Sequence, residues 1–477
     1  LCCHEGVKDT KQAFGNLFSQ VDYLCKARGI KVADKIAIQT MRRHSNSQEP
    51  LSGEDLKYDA RALTLFISAV FEERIPHEVN VLIPHINRPF QKGLEINNRR
   101  IRCIVKNWDS DFIRVDIDQD ADEEEYLVRL KDEENHIDHT YLWDLLKEGM
   151  QLNLLDCQVK QPIITPRLIV VEPDYLVDIS SIATCFTAFG HHPLLYLLNL
   201  MKPRANTQAT LLGNFAGAAL DDIINSHGKY QVNETVKSNF REKALEFCTC
   251  PWFDAKKFYT DASLQAFNLQ QVVDILFPRT ASQAKMSAFR GESLYDRKKA
   301  ILEPSFVCEA LGIQGRVDLM TTDCKLLVEQ KSGRNMNIET HQVDPAYHSY
   351  QLEPHYVQLL LYYGVLQHNF KLSNDRVNIR LLYSKYQPQD GLMVVAYYQK
   401  LFKEAIEYRN QLVAASFEIA KEGFEHTLNE FTPEVLNVAG TQDFFYNKYL
   451  KPQIEAITNP LHDLSPLEEA YFCRMMT

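Results

Sequence analysis

Asp318, Glu329 and Lys331 are residue types that can build a phosphodiester-hydrolysing site, and their spacing suits it. Gly315-Arg-Val-Asp318 is followed, eleven residues after the aspartate, by Glu329-Gln-Lys331. On an extended strand residues two apart share a face, so Glu329 and Lys331 point the same way. With Thr321-Thr-Asp-Cys324 as the turn, Met320 faces Lys325, and residue 318 faces 327 on the side of Glu329 and Lys331. The reverse face then gathers Val317, Leu319, Leu326 and Val328, an apolar set fit for a core. Two carboxylates can hold Mg²⁺ or Mn²⁺ through hard oxygen ligands and leave room for water and a phosphate oxygen. Such an ion lowers the pKa of water and offsets charge in the transition state. A lysine beside it can orient or help deprotonate the attacking water. The acid-x-Lys triplet by itself discriminates nothing, because Asp9, Asp55, Asp254, Asp296 and Asp323 also precede a lysine by two. Alternating charge on an exposed strand is the plain alternative. The upstream Gly-x-x-Asp and the apolar reverse face are what separate the two readings.

The elements that must position this hairpin follow from periodicity. Residues 1–94 read as a helical segment, in which Ala60-Arg-Ala-Leu-Thr-Leu-Phe-Ile-Ser-Ala-Val-Phe has helical apolar spacing before Pro76 and Pro84. Residues 95–175 read as a small β-barrel-like module. Its strands are Arg100-Ile-Arg-Cys-Ile-Val-Lys, Phe112-Ile-Arg-Val-Asp-Ile-Asp, Tyr126-Leu-Val-Arg-Leu and a pair near 152–157 and 167–171. The acidic run Asp120-Ala-Asp-Glu-Glu-Glu reads as a solvated turn. Residues 176–415 read as a mixed α/β domain, with helices near 180–201, 207–226, 236–247, 263–275 and 353–367. Its strands fall at 313–320, 325–331, 377–383 and 392–398. A helical extension or linker, 416–477, closes the chain. No repeat, no low-complexity stretch and no GxxxxGK[ST] loop occurs.

The ordered motifs of 176–400 resemble the RecB-like branch of the PD-(D/E)XK nucleases, especially the nuclease half of replication nuclease-helicases and the CRISPR-associated RecB-like nucleases. Ile179-Ser-Ser-Ile-Ala-Thr-Cys-Phe resembles the opening segment, and Gly213-Asn-Phe-Ala-Gly-Ala-Ala-Leu-Asp221 the glycine-to-Leu-Glu helix. Gly315-Arg-Val-Asp318 with Glu329-Gln-Lys331-Ser-Gly resembles the core motif, and Gln358-Leu-Leu-Leu-Tyr362 the trailing QxxxY helix. The resemblance implies a restriction-endonuclease-like core, a mixed central sheet flanked by helices. It makes Asp318 and Glu329 metal ligands and Lys331 the catalytic lysine. Gln358 and Tyr362, four apart on one helix face, would position the scissile strand, whereas without the family they read as a buried polar pair. Glu309 is a candidate accessory acid or a strand-surface residue. Two departures stand out. The family's metal-binding histidine falls at Gly217, with Asp221 or Asp222 one turn on as possible substitutes. Only Cys473 follows the QxxxY helix, so the family's four-cysteine iron–sulfur cluster is not expected. Cys185, Cys248 and Cys250 lack the usual zinc spacing.

The implied activity is Mg²⁺- or Mn²⁺-dependent hydrolysis of DNA, on single-stranded ends or flaps, in a DNA-repair setting. Basic candidates for phosphate contact are Lys256, Lys257, Arg290, Arg297, Lys298, Lys299 and Arg334, with Trp252, Phe258, Tyr259 and Phe289 nearby. An ordinary helix surface beside core aromatics explains the same residues. His191 and His192 read as a surface pair. The formal charge of −11 requires any basic groove to be local. Eleven cysteines in irregular spacing point to an intracellular, cytoplasmic protein, and no apolar run reaches the roughly 18 residues of a membrane span. The chain starts at Leu1 without a signal-like leader, as a piece of a longer protein would, and the family association implies a helicase beyond Thr477. The rival reading is a nuclease-like module that no longer cuts and binds DNA or serves a motor as a clamp. An unrelated interaction domain would place Asp318 and Glu329 on opposite faces.

Overall fold

In the computed structural model the described residues are 1–477 except 11, 13, 15, 47–50, 88–98, 118–124, 203–205, 227, 229, 290, 371 and 373–376. Most of the acidic run at 120–125 and Arg290 lie outside them. No helix among the described residues is long and apolar enough to cross a membrane. The first segment is helical, with Cys2–Val7, Leu17–Ala27, Val32–Asn46 and Gly53–Phe71 closing a small core around Leu24, Ile38 and Phe66.

Seven strands follow in the order Gln158–Lys160, Ile163–Thr165, Tyr126–Arg129, Phe112–Ile117, Arg100–Trp108, Gln151–Leu155, Leu168–Val171. Alternation in Phe112–Ile117 buries Ile113, Val115 and Ile117, as a one-sided sheet requires. The order is open, and among the described residues no pairing joins its two edges, so this is a sheet and not a barrel. A helix supplies what closure would have supplied at the Leu168–Val171 edge. The Asn410 side chain accepts from Val171 N–H and donates to Ile169 carbonyl, at 2.9 and 2.8 Å, satisfying backbone groups that an edge strand leaves unpaired.

The remainder is mixed α/β. Its elements are α1 (Gln208–Asn225), α2 (Ala255–Leu276), β1 (Ala300–Leu302), β2 (Ser305–Cys308), β3 (Ile313–Arg316), β4 (Leu319–Thr321), β5 (Leu326–Lys331), α3 (Glu353–Phe370), β6 (Asn378–Tyr383), β7 (Leu392–Val394) and α4 (Gln399–Glu422). A five-stranded sheet runs β1-β4-β5-β6-β7, and a three-stranded one pairs Val177–Asp178 with β3 and β3 with β2. β5 and β6 are parallel and the other neighbours in the larger sheet antiparallel. Alternate residues of β4, β5 and β6 feed two cores. Leu319, Leu326, Val328 and Leu382 pack with α1 and α2, whereas Met320, Leu327, Ile379 and Leu381 pack with α3 and α4. Both faces of this sheet are therefore covered, and Glu329 lies on the α3 side.

Several expected elements divide. The helix expected at 180–201 is Ile179–Ala183, a two-strand turn at Phe186–Thr187 and Gly190–His191, and Leu195–Met201. The one at 236–247 becomes Val232–Glu242 and Ala244–Cys248. The one at 263–275 starts eight residues earlier, where Asp254 accepts from Lys257 N–H as its N-cap. The last helices, among them Lys451–His462 and Pro466–Met476, share a core around Phe424, Phe431 and Leu436.

Candidate active site

The strand expected at 313–320 is broken, and the break makes the site. β3 belongs to the three-stranded sheet and ends at Arg316; the chain then crosses to the larger sheet and re-enters it as β4 at Leu319. Asp318 is the last residue of that crossover. Its carbonyl accepts from Glu303 N–H at 2.9 Å, which ties the crossover to the corner between β1 and β2. Val317 packs into the core on the α3 side, apart from Leu319, Leu326 and Val328, so the single apolar face expected from uniform alternation is not formed. The kink at 317–318 accounts for that difference.

The β4–β5 turn is longer than Thr321-Thr-Asp-Cys324. Thr321 Oγ1 accepts from the N–H groups of Lys325 and Leu326, and the ladder pairs Leu319 with Val328 and Met320 with Leu327. The register thus differs by two residues from the expected one. An even shift leaves every side chain on its face, and it carries Asp318 from beside Leu327 to beside Glu329. Asp318 Oδ2 accepts from Gln330 N–H at 2.6 Å. Lys331 Nζ donates to Glu329 Oε1 at 2.7 Å and to Gln358 Oε1 at 2.8 Å. Tyr362, one turn along α3, donates its hydroxyl to the Arg316 carbonyl at 2.6 Å. Gly315 permits that approach, because a Cβ there would lie 2.9 Å from the tyrosine ring. Lys331 thus joins Glu329 and Gln358 directly, and Asp318 and Tyr362 are tied to the same two segments through the Gln330 N–H and the Arg316 carbonyl.

Glu329 is 2% exposed, and its Oε2 has no partner among the described residues. Burial, then the Asp318 charge, raise its pKa to about 7 against the opposing pull of Lys331. Burial also raises Asp318, opposed by the Gln330 N–H and Lys331. On α1, Gly213, Gly217 and Asp221 form one stripe, four residues apart. A Cβ on Gly213 would meet Ser332 Oγ at 3.2 Å, whereas one on Gly217 meets nothing within 4 Å. Asp221 is half-buried, and burial together with Glu303, Asp222 and Asp318 raises it to about 6. Gly217 thus has open space at its Cβ position, one helix turn from Gly213 and one from Asp221.

Among the described residues no group of three or more His, Cys, Asp or Glu side chains is arranged to hold a metal. A cation that keeps water and substrate oxygens needs one or two carboxylates. Asp318 and Glu329, neighbours with one buried oxygen unpartnered, fit that smaller requirement.

The other expected residues have surroundings of their own. Arg297 donates to the Ile223 and Ile224 carbonyls at the end of α1, so it caps a helix. Arg334 pairs with Glu339, and Lys299 with Asp323. Lys256, Lys257 and Lys298 are exposed. Glu309 is outside the site, 3.6 Å from Arg100. Asp222 is exposed and accepts from the Thr235 hydroxyl. Cys185 and Cys250 are buried in different cores. His191 is half-buried, with its ring between Glu404 and Glu353 at 2.6 and 2.7 Å. His192 is half-buried. Asp55, Asp254, Asp296 and Asp323 each accept a hydrogen bond from a nearby group, an ordinary use of aspartate at caps and turns. Sequence reasoning passed over Glu303 and Arg316. Arg316 stood inside the Gly315–Asp318 motif, but Glu303 reaches the site only through the β1–β2 corner and has no local signal.

No protein-family model matches the chain, and no curated protein matches it.

Proposed function

We propose that the chain is a metal-dependent DNA nuclease of the RecB-like PD-(D/E)XK type, with Asp318, Glu329 and Lys331 at its centre. The observation that carries this reading is the buried, unpartnered Oε2 of Glu329 beside Asp318, with Lys331 fixed between Glu329 and Gln358. In this reading the two sheets are a restriction-endonuclease-like core, and single-stranded DNA ends or flaps are the substrate. A helicase joined to the same protein is its proposed partner.

Asp318 and Glu329 would hold Mg²⁺ or Mn²⁺, which when bound supplies positive charge against the phosphate and makes water easier to deprotonate. Gln358 and Glu329 orient the Lys331 ammonium, which donates hydrogen bonds and stabilises charge developing on the phosphate oxygens. Tyr362 holds the Arg316 carbonyl, and so the crossover that presents Asp318, in place. A second reading, a nuclease-like module that binds without cutting, is favoured by Gly217, which offers no ligand atom and whose Cβ position has no described atom within 4 Å.

Cleavage of end-labelled single-stranded DNA in Mn²⁺ by the native chain and by Lys331→Ala tests both. We expect metal-dependent cleavage that falls by about 10²-fold or more in the variant, with its melting temperature within a few degrees of native. Tight binding with no cleavage selects the second reading, and neither binding nor cleavage rejects both.

A further inference from the structure

Arg316 and Glu303 form an ion pair at the rim of this site. Arg316 Nη1 lies 3.0 Å from a Glu303 carboxylate oxygen, with the two side chains 61% and 44% exposed. Their backbones are anchored. The Arg316 carbonyl receives the Tyr362 hydroxyl, and Glu303 N–H donates to the Asp318 carbonyl. The guanidinium is thus the part of Arg316 with freedom to move, on a base fixed two residues from Asp318. Both charges reach the site's acids: Arg316 lowers and Glu303 raises the pKa of Asp318 and of Asp221.

An exposed ion pair of this kind contributes little, because water screens it and two long side chains must be held still. A phosphodiester offers the same guanidinium the two non-bridging oxygens of a tetrahedral phosphate, which share a full negative charge and can be met by two parallel N–H groups. We propose that Arg316 is the phosphate clamp of the site, and that Glu303 is a built-in competitor occupying it until a phosphodiester displaces the carboxylate. The proposal rests on the nuclease reading and deepens it. It makes Arg316 a positioning residue that pulls the backbone of the strand towards Asp318 and Glu329. Glu303 competes for the guanidinium and so weakens its hold on any anion several-fold.

The test is the affinity of the full chain for a fluorescein-labelled single-stranded DNA oligonucleotide in EDTA, where nothing is cut. Arg316→Ala is expected to weaken binding about tenfold, and Arg316→Lys by less, since it keeps the charge and loses the fork. Glu303→Gln is expected to tighten binding several-fold, and to do nothing once Arg316 is alanine. That loss of effect is what a merely structural role would not produce. Equal tightening by Glu303→Gln in the Arg316→Ala background overturns the proposal, as does unchanged affinity of Arg316→Ala. Native chain that cuts in Mn²⁺ while Arg316→Ala binds normally overturns the clamp and leaves the nuclease reading standing. Native chain that neither binds nor cuts overturns both.

Discussion

Burial and the Asp318 charge raise Glu329 to about 7, which fixes the sign of its effect on stability. An acid whose pKa is higher in the fold than in the unfolded chain takes up its charge reluctantly. The stability it leaves intact at pH 4 is lost as the pH rises through about 7. Glu329→Gln in EDTA is therefore expected to melt later than native at pH 8, by about 1–3 kcal/mol, and close to native at pH 4. Saturating Mn²⁺ should narrow the gap at pH 8, because the ion binds the charged form. Parallel thermal melts at the two pH values decide it. A second residue-scale test concerns Gly217. It stands in the interior of α1 with open space at its Cβ position. Gly217→Ala should stabilise the chain by about 0.5–1 kcal/mol through helix propensity alone and leave Mn²⁺ affinity unchanged. Gly217→His places an imidazole in that space, and tighter Mn²⁺ binding by calorimetry is the expected result. Unchanged metal affinity there would remove Gly217 from the account of the site.

The β4–β5 hairpin marks how far the elements were legible. Its facing was readable because side-chain period is two, and an error of two residues in turn length leaves Asp318, Glu329 and Lys331 on one side. The break before Asp318 was not readable. Nothing in Gly315-Arg-Val-Asp318 says that β3 and β4 join different sheets, since that depends on β2 and β1 arriving from earlier in the chain. Distant partners also decide His191, which local polarity makes look like surface. Burial pulls its pKa down, but hydrogen bonds and charge from Glu353 and Glu404 outweigh that and raise it to about 9. The histidine thereby ties the Gly190–His191 strand to the first turn of α3 and to α4. Its contribution is present in full below pH 6.5 and disappears as the pH rises through about 9. A native chain is expected to lose about 2 kcal/mol across that window. His191→Gln should start lower and stay flat over the same range of denaturant melts.

At the scale of the molecule, charge and connectivity make separate demands. With a net charge of −11, the DNA of the proposed function would have to be met by a local positive rim; among the expected contributors Arg297 is committed to carbonyls at the end of α1, whereas Lys299 and Arg334 sit in exposed ion pairs. Connectivity depends on Arg409, which is 0% exposed on α4. Its guanidinium donates to the carbonyls of Val171 and Glu172 at the end of the seven-stranded sheet, and to those of Tyr175 and Gly312 where the chain passes towards β3. Gly312 has φ +61, and a Cβ there would lie 2.3 Å from the guanidinium, so a glycine is required for this packing. One side chain thus satisfies backbone acceptors from both sheets, next to the strand that delivers Arg316 and Asp318. Arg409→Met keeps much of the volume but removes the donor from the Val171 and Tyr175 carbonyls, while those of Glu172 and Gly312 keep only the N–H groups of Tyr175 and Val177, which is expected to cost about 3–5 kcal/mol. Because the loss falls where the two sheets meet, limited proteolysis of the variant should cut first within residues 172–178, before the strands on either side. Native-like stability, or first cleavage in the last helices, would show that the sheets are held together by apolar packing and not by this guanidinium.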